Sequence, residues 1–129
     1  FRNGVFDVFA NEGISRANGL WIQDGWLIVG SSGDGLLKRV KLSSGRIEEI
    51  ISFGAGLIDG IRLDSEGNLL VSRWEGQLYR IGPQGEVLEL LDVQPEGWNV
   101  ADFEYLPGEG LLLIPTFLDN RVRAIRIRN

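Results

Sequence analysis

The 129-residue sequence contains no histidine, no cysteine and no methionine. Without histidine it cannot build a Ser-His-Asp triad, an HExxH zinc site or an imidazole proton relay. Without cysteine it has no thiol nucleophile, no disulfide bond and no thiolate metal ligand. Any chemistry must therefore come from carboxylates, amides, hydroxyls, lysine, arginine or a metal ion that prefers oxygen ligands.

Basic residues and long apolar runs are also scarce. The 13 basic side chains against 18 acidic ones give a net charge of −5, which disfavours a phosphate-backbone partner, so we expect no nucleic acid. The densest apolar run, residues 111–114, stops at Pro115 and is far shorter than the roughly 18 residues of a membrane span, so we expect no membrane insertion. A hydrophobic share of 43% indicates one globular domain.

A repeat of about 41 residues organises the chain. Asn18-Gly19 matches Asp59-Gly60 at a step of 41, and residues 37–42 match residues 78–81 at the same step. A third copy, shifted by a residue or two, follows in the C-terminal third. Several landmarks that share one period indicate a repeat architecture.

Within each period the segments are short, rich in β-branched and large apolar residues, and separated by glycine-containing turns. Four strands in about 41 residues is typical of a β-propeller blade. We therefore predict an all-β half-propeller, with blades of four-stranded antiparallel sheet at residues 14–52 and 53–92, and a blade lacking its outer strand at residues 93–129. Residues 1–13 would form an outer strand that closes another blade.

Three blades cannot close a ring, because propellers have at least four. We therefore predict half of a six-bladed ring that is completed by a second copy of the chain or by a missing N-terminal half.

Several segments resemble the SMP-30/gluconolactonase/LRE-like family of six-bladed propellers. They are residues 17–20 with 24–29, residues 58–61 with 64–72, and the tail at residues 101–105 with 114–122. The resemblance covers essentially the whole chain but only the C-terminal half of a full-length member. It implies a divalent metal, usually calcium, in the central channel, and no organic cofactor. Because many such proteins are exported, it also favours a periplasmic or secreted location.

In this family the matching Asn and Asp are metal ligands, which here are Asn18 and Asp59. Their amide and carboxylate oxygens are hard donors suited to Ca²⁺ or Mg²⁺. Asp102 is a third candidate ligand, although Ala101 aligns with Asp59 as well. The family's other ligands, a Glu and another Asn, come from the N-terminal half. The implied reaction is hydrolysis of a lactone or related ester, with Asp59 as ligand and candidate base.

The same resemblance predicts the residues that shape a pocket for a small-molecule substrate. These are Trp98 and Asn99 at its mouth, with Trp74, Arg73 and Glu104 as further rim candidates. Two alternatives stay open at this point. Asn-Gly and Asp-Gly are common turn dipeptides, so both metal candidates can be turn residues alone. The chain can also be a non-catalytic three-blade scaffold that self-assembles, or a fragment of such an enzyme.

Overall fold

A computed structural model describes residue 4 and residues 7–127 of the chain. This part contains eleven β-strands, two single-turn 3₁₀ helices and no α-helix. The first sheet comprises β1 (Ala17–Gln23), β2 (Trp26–Ser31), β3 (Leu36–Lys41) and β4 (Ile47–Ser52). The second comprises β5 (Ile58–Leu63), β6 (Leu69–Arg73), β7 (Gln77–Ile81) and β8 (Val87–Asp92). The third comprises β9 (Glu104–Leu106), β10 (Leu111–Thr116) and β11 (Arg121–Arg126), and the 3₁₀ turns are Gln94–Glu96 and Phe117–Asp119.

Each sheet is an antiparallel meander in which strands adjacent in sequence are also adjacent in space. The β1–β2 hairpin shows why the chain folds this way locally. Gln23 pairs with Trp26 across a two-residue loop, and the loop residues Asp24 and Gly25 have φ values of +51° and +77°. An Asp-Gly loop with both φ values positive is the type I′ turn that suits the twist of paired strands. The predicted all-β architecture of three antiparallel sheets is confirmed.

The core consists of two apolar layers, one at each junction between sheets. Ile28 and Leu37 of the first sheet pack with Ile58 and Ile61 of the second. A second layer joins the second and third sheets through their aliphatic and aromatic side chains, which include Leu70, Leu78, Tyr105, Leu112 and Ile114. The sheets are therefore stacked face to face, as neighbouring blades of a propeller are.

The predicted outer strand of residues 1–13 lies partly outside the described residues, and residues 7–13 contain no strand. The segment before β1 is held to the first sheet at Gly13, whose carbonyl accepts a hydrogen bond from the buried Lys38 ammonium at 2.7 Å. The same ammonium pairs with Asp34 at 2.5 Å. In the part of the chain that the structure describes, no helix is long and apolar enough to cross a membrane.

Candidate metal centre at the start of the inner strands

Asn18 and Asp59 lie at equivalent places in the first two sheets. Each is the second residue of its sheet's first strand, β1 or β5. The Asn18 Nδ2 donates a hydrogen bond to Asp59 Oδ1 at 3.2 Å, and its Oδ1 accepts from the Gly19 backbone N–H at 2.9 Å. The 41-residue repeat thus brings an amide and a carboxylate together at one point.

Gly19 allows this approach. Its φ is +64°, and a Cβ added there would lie 2.2 Å from the Asp59 carbonyl oxygen. Any side chain would therefore push β1 and β5 apart. The glycine of the Asn-Gly motif serves the contact between sheets as well as the local backbone conformation.

Burial and two neighbouring side chains, Asn18 and Asp102, set the pKa of the Asp59 carboxyl group. Its partial burial raises the pKa of the carboxyl group above the ordinary aspartate value, the hydrogen bond from Asn18 opposes that effect, and the charge of Asp102 raises the pKa further. The carboxyl group therefore holds its proton more tightly than a solvated aspartate does.

Asp102 lies close to this pair but is engaged by other groups. Its Oδ1 accepts the Phe103 backbone N–H at 2.9 Å, and its Oδ2 lies 3.2 Å from an Arg62 guanidinium nitrogen. The same guanidinium contacts the Glu104 carboxylate at 3.5 Å. Arg62 thus neutralises part of the negative charge that a third metal ligand would supply.

Buried serine hydroxyls tie the sheets together beside the pair. Ser72 Oγ accepts the Gly60 N–H and donates to the Ala101 carbonyl, both at 2.8 Å. Ser32 Oγ donates to the Ile58 carbonyl at 2.8 Å. Through these bonds the backbone on either side of Asp59 is fixed by Ser72 of β6 and by Ser32, which directly follows β2. The sequence alone does not single out either serine, because its residue type and neighbours do not distinguish a buried serine from one in an exposed turn.

The predicted rim residues Trp98, Asn99 and Trp74 meet at the junction of the second and third sheets. Asn99 Nδ2 donates to the Trp74 carbonyl at 3.0 Å, and the Trp74 and Phe117 rings are 5.3 Å apart. The Trp98 ring carries the Arg123 guanidinium 3.3 Å from its centre. These three residues are therefore grouped together at this junction.

The other two rim candidates have partners of their own. Arg73 is buried, donates to the Ala55 carbonyl and lies 3.6 Å from the Glu75 carboxylate. Glu104 belongs to the Arg62 cluster described above. A cleft of about 250 Å³ beside Asn18 and Asp59 is lined in the described chain by Arg16, Ala17, Ser32 and Leu57, and by none of the five rim candidates.

Asn18 and Asp59 fit part of an oxygen-ligand metal site. Both are hard donors, and a calcium ion takes six to eight oxygen ligands, so two side chains cover only a fraction of its shell. No cluster of three or more acidic, histidine or cysteine side chains suited to a metal occurs among residues 7–127. Water, substrate or another segment would have to supply the remaining ligands.

Comparison with known proteins places the chain by fold alone. No family model matches the sequence, and no curated protein matches it. Solved structures similar to it include a virginiamycin B lyase from Staphylococcus aureus, with a TM-score of 0.61 and 14% identity over 88% of this chain and 42% of that one. A luciferin-regenerating enzyme has a TM-score of 0.63 and 23% identity, over 80% of this chain and 38% of that one.

An auxiliary nutrient binding protein from Bacteroides thetaiotaomicron has a TM-score of 0.66 and 16% identity, over 89% of this chain and 32% of that one. The chain thus spans about two-fifths of the length of the first two structures and a third of this one. These neighbours are β-propeller proteins, and both enzymes and a binding protein occur among them. The three sheets of this chain are three blades of a β-propeller.

Proposed function

We propose that Asn18 and Asp59 contribute to a divalent-cation site, for calcium or magnesium, on the inner strands of a propeller that hydrolyses a lactone or related ester. The observation that carries this proposal is the 3.2 Å contact between an amide and a carboxylate that are 41 residues apart in the sequence. Two enzymes among the propeller neighbours add support for a catalytic role. The resemblance of the sequence to the SMP-30/gluconolactonase/LRE-like family supplies the reaction class.

The roles of the two residues follow from their chemistry. Asp59 would hold the cation with its carboxylate, and it is the candidate general base of the predicted hydrolysis. Asn18 would turn its amide oxygen toward the cation and keep the Asp59 carboxylate oriented. A divalent cation bound there supplies Lewis-acid polarisation of a carbonyl and a lowered pKa for bound water.

Calcium binding is tested by isothermal titration calorimetry and thermal melting of the chain. We expect calcium to raise the melting temperature, because a ligand at one hundred times its Kd stabilises the native state by about 2.7 kcal/mol. The Asp59→Asn variant should lose this response. Glu49→Gln, which removes an exposed carboxylate from β4, should keep it. No shift in the unmodified chain at millimolar calcium contradicts the proposal.

Hydrolysis is tested separately, by pH-stat titration of a panel of lactones with calcium present and then chelated. Calcium-dependent acid release that disappears in Asp59→Asn supports the hydrolase. Calcium binding without acid release favours the non-catalytic alternative instead.

The second candidate function is that of a scaffold that assembles with a second copy of itself. It is favoured by Phe117 and Leu118 of the 3₁₀ turn between β10 and β11 and by Val122 of β11, which are 65%, 66% and 70% exposed. Apolar side chains clustered at this exposure mark a surface that another protein element covers.

A further inference from the structure

One leucine of the first sheet is exposed at a position that the other two sheets bury. Leu20, Ile61 and Phe103 follow one another along the repeat, at steps of 41 and 42 residues. Ile61 is 0% and Phe103 is 3% exposed, whereas Leu20 is 58% exposed. Because a repeat gives its equivalent residues equivalent contacts, the exposure of Leu20 marks a contact that the described chain does not make.

Both buried residues pack against the sheet that precedes their own. A Cβ added to Gly19 of β1 would lie 3.1 Å from Ile61 Cγ1, and a Cβ added to Gly60 of β5 would lie 2.9 Å from Phe103 Cδ1. Among the residues that the structure describes, no sheet precedes the first one. Leu20 therefore belongs to a surface with which this protein packs one sheet on the sheet before it.

The open face of the first sheet is apolar along β1. Ile22 lies two residues after Leu20 and is 64% exposed. Trp21, between them, packs on the core layer toward the second sheet. Because successive side chains of a strand point to opposite faces, Leu20 and Ile22 share the face that is turned away from the second sheet.

The third sheet has a hollow at the other end of the stack of sheets. Leu112 and Ile114 of β10 pack in the core layer with the second sheet, so Leu113 and Pro115 point the other way. Together with Val122 of β11 they line a hollow of about 320 Å³. Its remaining lining in the described chain is Arg62, Asp102, Phe103 and Glu104. The stack thus ends in an exposed apolar pair on one face and a partly apolar hollow on the other.

We infer that a second copy of the chain packs the β1 face of its first sheet into the hollow of the third sheet, and that the same contact forms a second time with the roles exchanged. The occupant is a second copy because the surface missing beside Leu20 is one that this chain builds at both of its own junctions. Two copies then close a ring of six sheets, within the four to eight blades of β-propellers. A two-fold axis makes the two contacts equivalent.

Such a ring completes the cation site, and this part of the inference rests on the proposed function. β1 approaches β5 more closely than β4 approaches β8, so the first strands converge on the inside of the ring. The second copy brings its own Asn18 and Asp59 to the same channel, which adds an amide and a carboxylate toward the six to eight oxygen ligands of calcium. A cation there offsets the repulsion between the two Asp59 carboxylates. Calcium binding and pairing therefore favour each other.

Sedimentation velocity of the whole chain, with millimolar calcium and then with EDTA, tests the pairing. We expect a species of twice the 14.3 kDa of one chain. Calcium should lower its dissociation constant about tenfold, an ordinary size for the coupling between two binding events. Isothermal titration calorimetry should give one calcium ion per two chains. Asp59→Asn should still pair, without a response to calcium.

Variants on the two faces test which surfaces meet. Leu20→Asp should abolish the pair, and so should Val122→Asp on the third sheet. Leu88→Asp, at a residue of β8 in the middle sheet that is 56% exposed, is the matched control and should keep it. An equimolar mixture of the Leu20→Asp and Val122→Asp chains should pair again, because one of its two contacts joins two unmodified faces. Circular dichroism checks that each variant is folded.

Three results would overturn the inference. A chain that sediments as a monomer up to its solubility limit does not pair, and calcium binding by that monomer would leave the proposed cation site standing. A mixture that pairs no better than its two components would show that the first and third sheets do not meet. One calcium ion per chain would mean that the site is not shared. Pairing without any calcium binding, by contrast, overturns the proposed cation site and with it the shared set of ligands.

Discussion

At Asp59, burial and the nearby charge of Asp102 favour the protonated carboxyl group in the folded state. Its folded pKa lies above the ordinary value of 3.8, so native protein binds this proton more tightly than unfolded protein does. Stability from this group is therefore greatest below pH 3.8 and is lost as pH rises through the folded pKa. At neutral pH the ionised carboxylate opposes folding, which is a common cost of a binding residue.

Asp59→Asn should therefore raise the melting temperature of the calcium-free chain at pH 7. The difference from the unmodified chain should shrink below about pH 4, where both side chains are neutral. Thermal melts monitored by circular dichroism between pH 3 and pH 8 measure this. Glu49→Gln serves as the control and should change little. A variant that is less stable at pH 7 would show that the carboxylate is needed for structure.

Unlike Asp59, Asp64 has a fully buried carboxylate, and both of its oxygens contact hydrogen-bond or ion-pair partners. It accepts from the Glu66 and Asn68 backbone N–H groups at 2.9 Å and lies 3.1 Å from Arg80 Nε. Asp64→Ala should lower the free energy of unfolding by about 3 kcal/mol or more, because it breaks a buried ion pair. Urea denaturation measures the loss.

The control for Asp64 is Glu48→Ala, which removes a half-exposed partner of Arg39 and Arg46. Exposed ion pairs contribute about 1 kcal/mol or less. Similar losses for the two variants would mean that Asp64 contributes no more than a surface carboxylate.

At the scale of elements, a comparison of two glycines distinguishes the energetic cost of a left-handed backbone from the cost of a steric clash. Gly19 and Gly45 have similar positive φ values of +64° and +73°, but only the Cβ added at Gly19 meets a neighbour, the Asp59 carbonyl. Gly45→Ala should cost about 1 to 2 kcal/mol for its left-handed backbone. Gly19→Ala should cost clearly more, since β1 and β5 must also move apart. Chemical denaturation of both variants measures the difference.

Ser72 links β5 of one sheet to the segment before β9 of the next. In Ser72→Ala the Gly60 N–H and the Ala101 carbonyl lose a buried partner, which should cost about 1 to 3 kcal/mol. If this link positions Asp59, calcium affinity should fall as well. Ser52→Ala, an exposed serine at the end of β4, should change neither quantity.

The strand pattern and the repeat are local properties, so the sequence alone predicts three sheets and pairs Asn18 with Asp59. The contact of Arg62 with Asp102 depends on which side chains two different sheets present to each other, and no period in the sequence encodes it. Ser32 and Ser72 are 40 residues apart, close to the repeat period, but only their burial distinguishes them from turn serines. The metal-binding role of Asn18 and Asp59 stays a prediction.

At the scale of the whole molecule, the exposed apolar residues of the third sheet and of its β10–β11 turn predict association. If a second copy covers Phe117, Leu118 and Val122, light scattering during size-exclusion chromatography should give twice the 14.3 kDa of one chain. Val122→Asp should shift the mass to that of the monomer, because it buries a charge in the interface. Glu109→Gln in the β9–β10 turn is the control. A monomer at every accessible concentration contradicts self-assembly.

The tryptophans are divided between the two junctions of the propeller blades. Trp21 and Trp26 pack on the layer between the first and second sheets, and Trp98 packs on the layer between the second and third. Emission spectra of variants that each keep one tryptophan would therefore follow the two junctions separately during unfolding. Coincident transitions would identify one cooperative unit, whereas separate transitions would show that blades detach in sequence, as repeats with nearest-neighbour contacts can.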